Sequence, residues 1–527
     1  MLVIIRLVYY IAAKVVKKSI NFAQKNDFLM QKRYIIFLIL ILFFTCPSEI
    51  HAQANSSPEK AVQESINRLI KEASFSQAVI SVCAMTEDGK KLIDINSSKM
   101  LLPASNMKLI STGTALHKLG PDYRYETTLA YDGEISDGIL DGNVYIIGGG
   151  DPTLGSTDSI ATPINQLFAE WAGMLRINGV REVKGSIIGD GRYFDPTIEN
   201  PGWLLEDVGT YYGAGTNGLT FYENVQKFVV TAGDTVGTAV NIAPTYPDAT
   251  WMEFRYNCTT GEKGTGDNLY FITSELSPVA EFRGTYAADG KKKILECSNK
   301  FPEYACAYHF KKYLEENGIT CGGVGDYRID MTWKENGEKK WLGKTYSPTL
   351  DRIIFETNHV SNNVYAEALM RTLGLAINGN SSYYSSIAAT SEVLSDLKVN
   401  TKRGCRIIDG SGLSRQNYIS PDFLCRFLQG MMSSPYFQKY LASLPYPGGN
   451  GTLKGNMQDK PKSTRTRFRV KSGSMNGVRC YSGYILPKDG TQKDIIIFSA
   501  MINNSTAPSW KTRSLMDSIM LELSNLN

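Results

Sequence analysis

Ser105 and Lys108 are the first residues whose types and spacing could do chemistry. They lie three positions apart in LLPASNMKLISTGTAL, residues 101–116. On a helix, side chains at i and i+3 share a face, so the amine can reach the hydroxyl. Lysine accepts the serine proton only if burial or a neighbouring cation lowers its pKa from about 10.4 towards neutrality. The pair is therefore a candidate nucleophile and base.

Two other segments match the same S-x-x-K pattern, SPEK from Ser57 and SDLK from Ser395. SPEK follows a predicted cleavage site, where chain ends are often mobile. SDLK falls in a predicted amphipathic helix whose leucines take the buried face, which leaves its serine and lysine in solvent. Ser105 instead follows a Pro-Ala pair at a helix start, where backbone N–H groups can bind an oxyanion. A helix-capping serine beside a surface lysine is the alternative interpretation.

Two further motifs favour the catalytic interpretation. SNN begins at Ser361 and ends at Asn363, and KSG begins at Lys471 and is followed by Ser474. The K-[ST]-G pattern occurs once in the chain. The ordered trio S-x-x-K, S-x-N and K-[ST]-G is far more specific than any one of its members.

Histidine is scarce. After the predicted export signal only His117, His309 and His359 remain, and none lies in an H-E-x-x-H or G-x-S-x-G setting. The first two are predicted on helix surfaces, so a lysine base is more economical than a Ser-His-Asp triad. No Cys/His spacing suits zinc, and no metal or cofactor is predicted.

The front of the chain is predicted to position Ser105 between a hairpin and a helix. Residues 61–73 have helical spacing, residues 77–96 alternate around an Asp-Gly turn, and a helical stripe follows Ser105. From about residue 125 to 341, short β-type runs alternate with Gly/Asp/Asn turns. Only residues 164–179 and 305–318 are predicted as helices there.

The back of the chain is predicted to position the other two motifs. Helical spacing returns over 350–374, which contains SNN, and continues in two later helices. Residues 467–473, 478–486 and 494–503 are three β-type runs with short connections, typical of an antiparallel meander. A closing helix over 509–525 would cover one sheet face, giving an α+β fold.

The charge distribution indicates an exported protein. Residues 1–54 hold seven Lys/Arg and two Asp/Glu, and the remainder holds 49 and 50, so no nucleic-acid partner is expected. Residues 30–54 have the basic, apolar and small-residue layout of a secretory signal, with Met30 as the interpreted start and cleavage after Ala54. We expect a periplasmic protein with at most peripheral membrane association. An oxidising compartment would allow the eight cysteines after Cys46 to pair, in a connectivity that the sequence does not reveal.

The motif trio resembles that of the penicillin-interacting serine enzymes. The long insertion between the first two motifs is similar to that of the D-alanyl-D-alanine carboxypeptidase/endopeptidase family, the class C low-molecular-weight penicillin-binding proteins of the penicillin-binding protein 4 type. Further matches are GGGDPTL from Gly148, NPGW from Asn200, YYGAGTNGLTFYEN from Tyr211 and DGSGLSR from Asp409. The resemblance covers essentially everything after residue 55.

The resemblance implies a penicillin-binding/β-lactamase-like transpeptidase domain, an antiparallel sheet with helices, split by a large insertion. Residues 1–54 form the N-terminal extension, and 55–124 and 346–527 the two parts of that domain. Residues 125–345 form the β-rich insertion, with room for two subdomains.

The resemblance also implies roles for the catalytic residues. Ser105 Oγ would attack the carbonyl of a D-Ala-D-Ala bond while Lys108 accepts its proton. Ser361 and Asn363 would relay a proton to the leaving amine and position the lysine and the substrate amide. Lys471 would attract the terminal carboxylate and lower the pKa of Lys108.

The remaining roles concern substrate binding. Ser472 would hydrogen-bond the carboxylate, Gly473 would allow close approach of the substrate, and the N–H groups of Ser105 and Ser474 would form the oxyanion hole. The implied substrates are peptidoglycan stem peptides, with β-lactam antibiotics as covalent inhibitors.

Three alternatives remain open from the sequence. The chain could be a β-lactamase or esterase relative, or a peptidoglycan-binding protein with an inactive site. His359, two residues before Ser361, could be the working base.

Overall fold

The structure is a computed structural model that describes Lys14, residues 57–489 and residues 494–527. The predicted signal over 30–54 and the interpreted start at Met30 lie outside the described residues. Within the described part, no helix is both long and apolar enough to cross a membrane.

The described residues contain twenty strands that form five sheets. In chain order they are β1 Val79–Met85, β2 Lys91–Ile95, β3 Glu126–Tyr131, β4 Glu134–Ser136, β5 Ile139–Asp141, β6 Val144–Ile147, β7 Glu182–Asp190, β8 Val225–Thr231, β9 Asn241–Thr245, β10 Glu253–Gly261, β11 Tyr270–Ser274, β12 Ser277–Ala287, β13 Lys293–Ser298, β14 Thr320–Asp326, β15 Lys340–Tyr346, β16 Cys405–Arg406, β17 Tyr418–Ile419, β18 Phe468–Met475, β19 Val478–Ile485 and β20 Ile496–Asn503.

Twelve α-helices lie in the same described residues. They are α1 Pro58–Leu69, α2 Met107–Leu119, α3 Ile164–Ile177, α4 Leu205–Val208, α5 Pro302–Glu316, α6 Leu350–Val360, α7 Asn363–Asn378, α8 Tyr383–Asp396, α9 Pro421–Met432, α10 Phe437–Ala442, α11 Lys462–Arg465 and α12 Ser509–Leu523. Short 3-10 turns occupy Ala73–Phe75, Ala104–Asn106, Tyr211–Gly213, Tyr222–Asn224 and Ser524–Leu526.

The sheet nearest the site has five strands in the order β18-β19-β20-β1-β2, all antiparallel. The predicted meander β18–β20 is confirmed, and the predicted hairpin β1–β2 extends it. Alternate residues of β1 enter two cores: Val82 and Ala84 pack with α12, whereas Cys83 and Met85 pack with α2 and α9. Helices therefore cover both faces of this sheet, as expected for an α+β fold.

The inserted β-rich region begins and ends as one strand pair. β3 and β15 pair antiparallel, with Glu126 opposite Tyr346. This pair belongs to a seven-stranded mixed sheet around β7, and the chain between β3 and β15 also forms two three-stranded sheets, β10-β12-β11 and β13-β8-β9. One hydrophobic core underlies the mixed sheet, and the two three-stranded sheets share a second.

The helical run predicted over 350–374 is two helices rather than one. α6 ends at Val360 and α7 begins at Asn363, because Ser361 takes a left-handed conformation with φ 65°. Such a φ is uncommon for a residue with a side chain and costs about 1–3 kcal/mol. The break exposes the SNN motif at a corner between two helices.

All eight cysteines in the described residues are free thiols. The disulfides that an oxidising compartment would allow are therefore not formed in this structure. Cys83, Cys425 and Cys480 are fully buried, where they pack as small apolar side chains.

Candidate active site

Ser105 lies in the 3-10 turn Ala104–Asn106, immediately before α2. Gly473 of β18 packs directly against this turn, and a Cβ there would come within 2.7 Å of Pro103 O. The structure thus gives a reason that the sequence did not show: the glycine makes room for the turn that carries the serine.

Lys108 lies one turn further along and is completely buried. Its Nζ is 3.0 Å from Ser105 Oγ, 2.6 Å from Asn363 Oδ1 and 2.8 Å from Ser411 O. A neutral lysine amine has two N–H groups and one lone pair. The carboxamide and carbonyl oxygens accept the two N–H groups, which leaves the lone pair towards the serine hydroxyl.

The charge state of Lys108 is set mainly by burial. Burial lowers its pKa from 10.5 to about 7, while the negative charges of Glu367 and Asp409 act in the opposite direction. The sequence left burial and a neighbouring cation as possible causes of this lowering, and the resemblance implied Lys471 as the cation. In the structure, burial is the cause of the lowered pKa of Lys108. A lysine with this pKa can serve as a base near neutral pH.

The 361–363 turn contacts both buried lysines of the site. Ser361 Oγ accepts a hydrogen bond from Lys471 Nζ at 2.9 Å, and Asn363 Oδ1 faces Lys108. Asn363 Nδ2 donates to Tyr212 O at 2.7 Å. The motif is therefore held from both sides, by the two buried lysines and by a backbone carbonyl of Tyr212.

Lys471 lies on β18, the edge strand of the five-stranded sheet. It is fully buried, and burial together with repulsion by Lys108 lowers its pKa. Ser472 follows it and donates to Thr452 Oγ1 at 2.7 Å. Ser474 is exposed and lines the same cleft as Ser105.

The loop that contains Ser411, which was not assigned to the site from the sequence, contacts Lys108 through a backbone carbonyl. Glu367 is fully buried on α7 and accepts the N–H of Ser411 at 2.7 Å and that of Gly410 at 3.1 Å. These bonds hold Ser411 with its carbonyl towards Lys108. Burial and the charge of Asp409 raise the pKa of Glu367 to about 7.

A signal for this loop existed in the sequence. DGSGLSR contains Ser411 and was noted as a family match, but the group used is a backbone carbonyl, for which any side chain would serve. In the sequence, Glu367 looks like any other polar residue of an amphipathic helix.

The histidines lie outside this arrangement. His359 Nδ1 is 2.9 Å from Phe355 O, and its ring stacks on Phe355, so both contacts are within its own helix. His309 was predicted on a helix surface, which is wrong. It is 4% exposed, packs on Phe221 and has Nε2 3.0 Å from Asp248 O.

The other two S-x-x-K matches are surface features. Ser395 and Lys398 are exposed, and Ser395 Oγ donates to Ser391 O at 3.0 Å on its own helix. Ser57 and Lys60 are also exposed. Ser105 and Lys108 are the pair that the structure joins to the SNN and KSG motifs.

A cleft with a volume of about 960 Å³ opens in front of Ser105. One wall is made by Ser105, the 361–363 turn and Ser474, and the other by the inserted region, including Tyr212 and Glu223. The arrangement can hold a peptide carbonyl between a serine hydroxyl and a buried amine, with the second buried lysine, Lys471, beside them.

Residues 62–523 match the model of the D-Ala-D-Ala carboxypeptidase 3 (S13) family. A D-alanyl-D-alanine carboxypeptidase from Actinomadura sp. (strain R39) is 28% identical over 479 residues, 87% of this chain and 84% of the relative. A penicillin-sensitive carboxypeptidase A from Dictyostelium discoideum is 24% identical over 510 residues, 90% and 93% of the two chains.

The fold is that of a solved relative. The crystal structure of penicillin binding protein 4 from Haemophilus influenzae superposes with a TM-score of 0.74 at 20% identity, covering 87% of this chain and 99% of the other. The fold and family predicted from the motif trio are confirmed. The chain belongs to the D-Ala-D-Ala carboxypeptidase 3 (S13) family and is a serine peptidase of the D-Ala-D-Ala carboxypeptidase class.

Proposed function

We propose that this carboxypeptidase works through an acyl-enzyme at Ser105 and also cleaves peptidoglycan cross-links. The observation that supports it most is the 3.0 Å contact between Ser105 Oγ and the buried Lys108 amine, whose pKa of about 7 suits a base. Asn363 Oδ1 and Ser411 O accept the two N–H groups of Lys108, so the hydroxyl of Ser105 is the remaining partner for its lone pair.

The acylation step moves one proton and exchanges two bonds. Lys108 Nζ takes the Ser105 proton as Oγ bonds to the carbonyl carbon of the terminal D-Ala-D-Ala bond. Backbone N–H groups of Ser105 and Ser474 stabilise the oxyanion, typically by about 3–4 kcal/mol for each donor. The C–N bond then breaks, and the proton passes through Ser361 to the leaving amine.

Deacylation returns the enzyme to its starting state. Water attacks the ester carbonyl while Lys108 takes one of its protons. The C–Oγ bond then breaks, the proton returns to Ser105 Oγ, and the shortened stem peptide is released. During acylation Lys471 and Ser472 would hold the carboxylate of the leaving D-alanine. Asn363 would orient the substrate amide beside Lys108.

Penicillin should acylate the same serine. The Dictyostelium relative is named penicillin-sensitive, and the Haemophilus protein has been solved in complex with a β-lactam. A β-lactam presents a reactive amide carbonyl and a carboxylate, the two groups that this site is proposed to bind.

The size of the cleft supports cross-link cleavage. A volume of 960 Å³ lies at the upper end of the range of about 300–1,000 Å³ that holds a drug-sized ligand. A terminal dipeptide occupies a fraction of it, which leaves room for the second stem peptide of a cross-link.

Ser105→Ala tests the nucleophile. We expect loss of both D-alanine release and covalent labelling by a fluorescent penicillin, because the oxygen that forms the ester is gone. Ser57→Ala and Ser395→Ala serve as matched controls from the same pattern and should label normally. Labelling of Ser105→Ala would refute the proposal.

Two measurements address the finer points. Digestion of purified peptidoglycan should release both D-alanine and uncrosslinked fragments. Release of D-alanine alone would contradict the proposed cleavage of cross-links. Slow release of bound penicillin supports a peptidase, whereas rapid turnover would indicate a β-lactamase.

We also propose that the chain is exported to the periplasm. The layout of residues 30–54 supports this. N-terminal sequencing of the exported protein should begin near Asn55, and a different start would contradict the proposed cleavage.

A further inference from the structure

Asn362, the middle residue of SNN, has both ends of its side chain bonded. Its Oδ1 accepts the N–H of Tyr365 at 3.1 Å and so caps the start of α7. Its Nδ2 donates to Glu223 Oε2 at 2.6 Å. Asn362 therefore joins the catalytic turn to the inserted region.

Glu223 is itself held in place. Its Oε1 accepts the Ser156 hydroxyl at 2.7 Å, and the Tyr365 hydroxyl donates to the same Ser156 Oγ at 3.1 Å. These contacts fix the carboxylate at the wall of the cleft.

The backbone that presents Glu223 is unusual. The turn Tyr222–Asn224 has positive φ at all three residues, 52°, 56° and 54°. Each such residue costs about 1–3 kcal/mol and persists only where its surroundings determine it. Here Asn224 Oδ1 accepts the N–H of Phe221 at 3.0 Å, and Asn224 O accepts that of Asn299 at 2.7 Å.

The three side chains of SNN thus have three different anchors. Ser361 is bonded to Lys471, Asn363 to Lys108, and Asn362 to Glu223. Two anchors are the catalytic lysines, and the third is a carboxylate from a different part of the chain.

We propose that Glu223 is a positioning residue for acylation: through Asn362 it holds the 361–363 turn at its distance from Lys108 and Lys471. The inserted region would then set the rate of the reaction as well as form one wall of the cleft. The proposal rests on the proposed acylation of Ser105.

The physical reason lies in the strained corner at Ser361. Its left-handed φ must be maintained by its neighbours, and Asn362 is the adjacent residue. A shift of about 1 Å in a reacting group can lower a rate by about 10²-fold. Without Glu223, water can accept the hydrogen bond of the Asn362 amide group, and the 361–363 turn can change its conformation.

The test measures penicillin acylation rates and peptidase kcat and KM at pH 8.5. Glu223→Ala should lower acylation and kcat by about tenfold, the scale of one lost hydrogen bond to a charged group, with KM for a short D-Ala-D-Ala peptide within about twofold. Glu223→Gln should stay within about threefold of wild type, since its amide can still accept from Asn362. Glu253→Ala, an exposed carboxylate of the same region, is the control.

A donor–acceptor exchange makes the test independent of folding. Asn362→Asp still caps α7 but faces Glu223 with a second carboxylate, so acylation should fall by about tenfold or more. Adding Glu223→Gln supplies an N–H donor to the new carboxylate, and the double variant should recover to within about threefold of wild type.

The outcomes separate the two proposals. If wild type is not labelled by penicillin, the acyl-enzyme itself is refuted. If wild type is labelled, then normal acylation in Glu223→Ala overturns the positioning role. The positioning role is also overturned if the double variant Asn362→Asp/Glu223→Gln is acylated no faster than Asn362→Asp alone. This second comparison decides the matter even if Glu223→Ala fails to fold.

Discussion

Two buried lysines, one in each region of the molecule, offer a direct comparison. Lys108 lies in the catalytic part and Lys300 in the inserted β-rich region, and both are 0% exposed. Burial is the main cause of a lowered pKa in each, to about 7 for Lys108 and about 8 for Lys300.

The partners of the two amines differ. Lys300 Nζ donates to Gly213 O at 2.7 Å and to Ala214 O at 3.3 Å, and it forms an ion pair with the Glu199 carboxylate, 3.5 Å away. Two carbonyl acceptors and a nearby negative charge suit an ammonium group.

Lys108 has two such acceptors and a serine hydroxyl in the third direction. Burial alone therefore does not distinguish the two lysines. In the mechanism that we propose, the third partner of each amine decides whether its lowered pKa is used for chemistry.

Replacing each lysine by methionine gives the largest expected contrast. Lys108→Met should lower penicillin acylation by about 10²–10⁴-fold, the usual contribution of a general base. Lys300→Met should leave acylation of the folded protein within tenfold. Equal losses of acylation in the two variants would show that the hydrogen-bond partners of the two lysines do not determine their roles.

The pH dependence of acylation should show the Lys108 titration. Below its pKa of about 7 the amine is protonated and cannot accept the Ser105 proton. The rate should therefore rise about tenfold per pH unit from pH 5 to 7 and level off above, measured with fluorescent penicillin. A rate independent of pH over this range would contradict a lysine base.

Glu367→Gln should sharpen the comparison by removing a negative charge that acts on Lys108. The charge of Glu367 raises the pKa of Lys108, so its removal should move the midpoint of the pH profile to lower pH. The Gln oxygen can still accept the Ser411 N–H, which keeps the rate at pH 8.5 within about tenfold. A midpoint moved to higher pH would show that Glu367 acts in another way.

The stability effect of Lys300→Met is the smallest expected difference. Loss of the amine leaves Gly213 O and Ala214 O without a donor, at about 1–3 kcal/mol for a buried polar group. The melting temperature should fall by several degrees while penicillin labelling persists. An unchanged melting temperature would mean that the site adjusts around the missing charge.

The sequence contained most of the side chains of the site. Ser105, Lys108, Ser361, Asn363 and Lys471 were found from the order of three short motifs, and the structure brings them together. The meander and closing helix followed from periodicity and turn residues, because both patterns are local.

The parts that the sequence did not reveal are backbone groups and distant partners. The carbonyls of Ser411 and Tyr212 contact Lys108 and Asn363, yet a carbonyl has no sequence signature. The break at Ser361 was missed because the helical spacing continues across it. The contact between Asn362 and Glu223 joins residues far apart in the chain and depends on tertiary structure alone.

The pairing of β1 with β20 determines when the five-stranded sheet beside the site can first be completed. β18, which carries Lys471, is connected to β1 only through β19 and β20. Asn503, the last residue of β20, also accepts the N–H of Leu102, 401 positions earlier. A nascent chain on the ribosome therefore cannot complete this five-stranded sheet until synthesis has passed Asn503. Contacts of such long range also slow folding. The sheet beside the site consequently remains incomplete throughout most of the chain's own synthesis.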